Sequence, residues 1–189
     1  MKSSKSLLVA ITVLVLAGLG ARAAVFPRMT AEELTAQAQR IVRGDVLRSW
    51  ASWDAEHKYI WTHYDVSVSD VLRGPRTATV TISEPGGELD GIGQQVSGVV
   101  PYTAGESVVL FLYQTPAGYW RSVGGPQGKF TVDHEGRVHS NLEAAAYLDV
   151  PGGAPGAALA TMEGLPIREF KRRVMNLAAA HPFKGRRRP

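Results

Sequence analysis

Between positions 60 and 69, Ile60, Thr62, Tyr64, Val66 and Val68 alternate with Trp61, His63, Asp65, Ser67 and Ser69. A period of two with one apolar and one mainly polar face predicts a half-buried strand. Ala78, Val80 and Ile82, alternating with Thr77, Thr79, Thr81 and Ser83, predict a second one, closed by Pro85-Gly86-Gly87. Ahead of them Ile41 to Leu47 has strand character, and Gly44 within it marks a bulge or a close backbone approach. The polar stretch from Ser49 to Lys58 reads as a hairpin loop carrying Trp50 and Trp53.

The uninterrupted apolar run Val108 to Tyr113 predicts a central strand buried on both faces. A short strand is expected near Gln95 to Val99, and two more at Tyr119 to Val123 and Lys129 to Asp133. Asp133-His134-Glu135-Gly136 then forms a tight hairpin turn returning through Arg137-Val138-His139. Helical signals lie at the two ends. Thr30-Ala31-Glu32-Glu33 has the form of a capping box opening a helix from Ala31 to about Gln39. Ile167, Phe170, Val174 and Leu177 recur at helical spacing ahead of Pro182. The pattern therefore predicts a mainly β domain, a small OB-like β-barrel with one N-terminal and one C-terminal α-helix.

Before the first helix, Lys2 and Lys5 precede an apolar run from Leu7 to Leu19, and Ala21-Arg22-Ala23 supplies a small-x-small site. That is the layout of an export signal. The run is shorter than the roughly 20 residues that span a bilayer, so no permanent membrane anchor is expected. The expected organisation is a signal peptide at 1–23 and the barrel domain with its N-terminal helix at 24–150. A flexible Pro/Gly-rich spacer at 151–164, a C-terminal helix at 165–181 and a basic tail at 182–189 follow. The destination is periplasmic or extracellular.

Charge changes the picture little once this leader is set aside. Of 21 basic residues, Lys2, Lys5 and Arg22 leave with it, against 17 acidic ones, and Lys184, Arg186, Arg187 and Arg188 crowd into the tail. The high pI belongs to that tail and not to a nucleic-acid-binding face. The tail reads as a solubilising segment or as a contact for an anionic surface. Cysteine is absent, which excludes a disulfide framework, thiolate catalysis and thiolate metal sites.

Candidate chemistry is sparse. His63 and Asp65 share a strand face with His57 in the loop before them, a set that suits a metal or an acid–base pair but equally a solvated sheet face. His134 and His139 flank a hairpin turn that accounts for their proximity. Ser97 has neither glycine of a nucleophile elbow and Ser107 lacks the second, and the Gly86-Gly87 and Gly124-Gly125 pairs lack the lysine of a phosphate cradle. No cofactor is expected. Trp50, Trp53 and Trp61 stand out, because an aromatic on the polar side of an alternating strand has no core to enter. With His63 they form a candidate binding patch, or else rings covering a barrel end.

Val42-Arg43-Gly44-Asp45-Val46, Val68 to Gly74 and Gly105 to Leu112 together follow the pattern V-x-G-x-V, V-x-x-V-L-x-G and G-E-x-x-x-x-F-L. Over residues 41–113 this resembles the OB-like barrel of tissue inhibitors of metalloproteinases and netrin-type modules, and uncharacterised exported bacterial proteins sharing that pattern. Those inhibitors use an N-terminal cysteine to chelate the protease zinc; here the new terminus would be Ala24, with no cysteine to follow it. The expected function is an exported, non-enzymatic binding module for a protein or cell-envelope partner. The alternatives are a metalloprotease inhibitor acting on an exported protease through Ala24, and a metal-dependent hydrolase using His57, His63 and Asp65.

Overall fold

The computed structural model describes residues 25–142, 146–148, 159 and 161–183. The predicted signal peptide, Ala24, positions 151–158 and 160 of the spacer, and the basic cluster Lys184 to Arg188 lie outside the described residues. Val25–Pro27 form a short strand, β1, paired in parallel with a strand at Ala146–Leu148. At Thr30 the capping box closes as the sequence predicts. Thr30 Oγ1 accepts from the Glu33 N–H at 3.1 Å, and Glu33 Oε2 accepts from the Thr30 N–H at 2.8 Å. Helix α1 then runs from Ala31 to Gln37.

Two long strands follow, β2 (Arg40–Trp53) and β3 (Ile60–Arg73), joined by a turn. The predicted loop from Ser49 is therefore strand as far as Trp53, because Ser49 to Trp53 pair residue by residue with Tyr64 to Ile60. Gly44 is both things the sequence predicts. The β2–β3 register shifts between Arg43 and Gly44, and a Cβ at Gly44 would lie 2.1 Å from the Ser67 carbonyl oxygen.

β4 (Thr79–Pro85) pairs antiparallel with β3, and a small hairpin of β5 (Gly87–Leu89) and β6 (Ile92–Gln94) stands apart from the main sheet. The strand expected near Gln95 to Val99 falls earlier, at β6, where Ile92 can pair with Leu89. β7 (Ser107–Gln114) lies beside β2, and β8 (Trp120–Ser122) pairs antiparallel with β7 and in parallel with β4 through Ile82 and Trp120. After a single 3₁₀ turn at Gly125–Gly128 come β9 (Lys129–Val132), β10 (Val138–Ser140) and β11 (Ala146–Leu148). Helix α2 (Ile167–Ala180) ends ahead of Pro182.

The domain is thus mainly β, a seven-stranded sheet in the order β10-β9-β7-β2-β3-β4-β8 flanked by two helices. Two hydrophobic clusters fill it, and β7 divides them. Val108, Leu110 and Leu112 join Val42, Val66 and Ile82 on one side. Val109 and Phe111 join Leu34, Phe130 and Phe170 under the helices on the other. The end of the predicted spacer contributes to this second cluster, since Leu159 and Met162 are each 2% exposed. Among the described residues no helix is long and apolar enough to cross a membrane.

Candidate functional site

The β2–β3–β4 register builds one outward face in three rows. Arg48 pairs with Asp65 and Asp65 with Thr81; Trp50 pairs with His63 and His63 with Ser83; Ser52 pairs with Trp61 and Trp61 with Pro85. Alternation places these nine residues on one side of the sheet, opposite the face that carries Val66, Val80 and Ile82 into the core.

Rings run across this face. Trp50 stacks on His63 with centroids 5.2 Å apart, His63 lies 6.1 Å from Tyr119, and Tyr119 lies 4.4 Å from Trp61. Arg48 sits 5.0 Å above the Trp50 ring and pairs with Asp65 at 2.9 Å. Asp65 also accepts from the Thr81 hydroxyl at 2.8 Å. Trp50 is 39% exposed, so the tier is open at its β2 end.

His63 holds the centre. Its Nε2 is 2.9 Å from Ser52 Oγ and its Nδ1 is 2.8 Å from Ser83 Oγ, so both ring nitrogens are engaged by hydroxyls. A neutral imidazole donates from one nitrogen and accepts at the other, and a hydroxyl suits either role. Burial lowers the His63 pKa, opposed by the nearby charge of Asp65, and the ring is neutral at pH 7. A serine beside a histidine is half of a hydrolytic triad, but here the second nitrogen meets Ser83, while the Asp65 oxygens go to Arg48 and Thr81.

Sequence reasoning grouped Trp50, Trp53, Trp61 and His63. The structure joins three of them and sets Trp53 apart. Trp53 projects from the opposite face of β2, stacks on His57 at 6.2 Å and donates Nε1–H to Asp90 at 3.2 Å. His57, His63 and Asp65 do not converge, each being held by other partners, and among the described residues no three His, Asp or Glu side chains are arranged to hold a metal ion. Ala24 lies outside the described residues. Tyr119, Ser52 and Ser83 were missed, because only the register brings them to the face.

Two other clusters carry chemistry. His139 bridges Asp133 and Glu163 at 2.8 Å each, and these carboxylates raise its pKa. A cavity of about 690 Å³ opens between Phe26, Gln39, Tyr113, Arg121 and Phe183, with the Arg121 guanidinium held by buried Glu84. The chain matches no protein-family model, no curated protein and no solved structure. Its functional reading rests on the geometry.

Proposed function

We propose that this protein is an exported, non-enzymatic binding module on an OB-like barrel, and that the Trp50–His63–Tyr119–Trp61 tier engages a protein or cell-envelope partner. The barrel reading is supported by the strand pairings. β2 pairs with β3, β3 with β4, β4 with β8, β8 with β7 and β7 with β2, which returns the sheet to its start through one parallel step. On OB folds the face of the second and third strands, with the loops after the first and fourth, is the usual ligand surface. Those elements correspond to β3, β4, the β2–β3 turn and the β7–β8 turn; Trp61 and His63 lie on β3 and Tyr119 in the β7–β8 turn, while Trp50 extends the tier onto β2.

The observation that carries the reading is the tier itself: four rings contributed by three separate chain segments on an outward sheet face, with Trp50 partly open. Aromatic side chains of this kind dominate binding hot spots. The one cation on the face, Arg48, is neutralised by Asp65, which disfavours a polyanionic ligand. Trp50→Ala combined with Trp61→Ala is expected to reduce retention of specific partners from an envelope fraction by at least about tenfold, with the fold intact by circular dichroism. Unchanged retention would remove the tier from the binding surface.

A further inference from the structure

Among the described residues, the distal half of β2 is paired on one side only. β7 covers Arg40 to Asp45, and Val46 is still held by Glu106 and Gly105, at 2.9 and 2.7 Å. From Leu47 to Trp53 the only strand paired with β2 among the described residues is β3. The Asp54 N–H donates to the Tyr59 carbonyl at 2.8 Å, so alternation along the ladder turns the main-chain groups of Ser52, Trp50 and Arg48 toward β3. Those of Ser49, Ala51 and Trp53 point the other way, where no described group bonds them.

Open edges are normally protected by lysine, proline, inward-pointing charge or a bulge within the strand. Leu47-Arg48-Ser49-Trp50-Ala51-Ser52-Trp53 contains no proline, and its single charge is neutralised by Asp65. The bulge sits only at its first residue, Leu47, between Val46 and Arg48, and leaves Arg48 to Trp53 in regular register. Leu47 is 56% exposed.

We propose that this edge pairs antiparallel with the same edge of a second copy of the chain, about a two-fold axis through Ala51. In that register Ser49 faces Trp53 of the second copy, Ala51 faces Ala51, and each outward N–H and C=O of these residues finds a partner. Arg48 comes opposite Asp54 of the second copy, an attractive cross-strand pair. Centring the axis on Trp50 would instead set Trp53 against the bulge at Leu47 and leave Asp54 without this partner. The dimer is separate from the partner reading, and it continues the face carrying Trp50 and Trp61 across the axis.

The test is the mass of the purified protein by sedimentation velocity from micromolar to sub-millimolar concentration, where a shift toward the dimer is expected. Ala51→Lys and Ala51→Glu, which oppose like charges at the axis, should each weaken dimerisation by at least about tenfold, and mixing the two should restore it. The chain has no cysteine of its own. Ala51→Cys should therefore crosslink selectively under mild oxidation, since hydrogen-bonded cross-strand Cα atoms lie about 5.5 Å apart, within disulfide range. Ser69→Cys, on exposed β3, is the control. A wild-type monomer at every concentration, an undiminished Ala51→Lys dimer, or equal crosslinking at positions 51 and 69 overturns the proposal. If the charged variants fail to fold, the cysteine pair decides. A dimer that survives Trp50→Ala with Trp61→Ala separates this interface from the binding tier.

Discussion

Glu84 is the most perturbed carboxylate described, 1% exposed, with Oε2 receiving Arg121 Nη2–H at 2.8 Å and Nε–H at 3.2 Å. Burial raises its pKa to about 7 although Arg121 pulls it down. The unfolded chain releases this proton near 4.5, so between 4.5 and 7 the native state holds more protons and stability falls as pH rises, levelling off above about 7. His63 works in the opposite sense. Its lowered pKa costs stability as pH falls below 6.5, so the Glu84 contribution is best isolated as a difference between variant and wild type. Glu84→Gln keeps an acceptor for Arg121 and should remove the decline between pH 4.5 and about 7 that Glu84 causes, read by urea unfolding. An unchanged slope would contradict the assignment. The site was partly legible at this scale. Val80 and Ile82 set a parity that reaches Glu84 ahead of the Pro85-Gly86-Gly87 closure, but nothing in that stretch pairs it with Arg121, which comes from β8. His63 and Trp61 share the mainly polar face that alternation assigns them, with His63 itself buried among the rings, whereas their neighbours Ser52, Ser83 and Tyr119 come from segments that no local pattern links to β3.

Arg73, the last residue of β3, joins the two helices. Its guanidinium donates to the carbonyls of Thr35 and Ala38 at the end of α1, and to those of Ala178 and His181 at the end of α2, at 2.7 and 2.5 Å for the second pair. Helix C-termini leave carbonyls without partners and carry partial negative charge, and neither helix has a basic residue in its own last turn. One cation from the sheet serves both. Arg73→Met should cost about 3 kcal/mol in urea unfolding, and Arg73→Lys should recover only part, because an ammonium cannot fork between two helix ends. A loss below about 1 kcal/mol for Arg73→Met would show that solvent replaces these bonds. The helices themselves were readable, since capping chemistry and 3.6-residue periodicity are local properties. The extent of β2 was not. Ser49 to Trp53 is polar and aromatic without regular alternation, and it is strand because β3 supplies the hydrogen bonds.

At the scale of the molecule, β7 is the wall shared by both hydrophobic clusters, with Leu110 facing one and Phe111 the other. Neither cluster can open without disturbing it. Leu110→Ala and Phe170→Ala should each lower stability by about 2–5 kcal/mol, and both variants should keep coincident unfolding curves by tryptophan fluorescence and far-UV circular dichroism. All four tryptophans lie on β2, β3 and β8, so fluorescence follows the first cluster while circular dichroism also follows the helices. Separated curves would mean two folding units. The sequence by itself determined the mainly β class, most of the strands, both helices, the capping box, and the inward and outward sides of β3. Each follows from periodicity or from hydrogen bonds spanning a few residues. Tertiary structure alone decided the strand order, the parallel meeting of β4 and β8, the division of the tryptophans between two faces, and the unpaired edge beyond Val46. Those depend on which distant segment lies alongside, and main-chain hydrogen bonding between strands carries almost no residue-specific signature. A face made of β2, β3, β4 and the β7–β8 turn therefore has no counterpart in any one stretch of the chain.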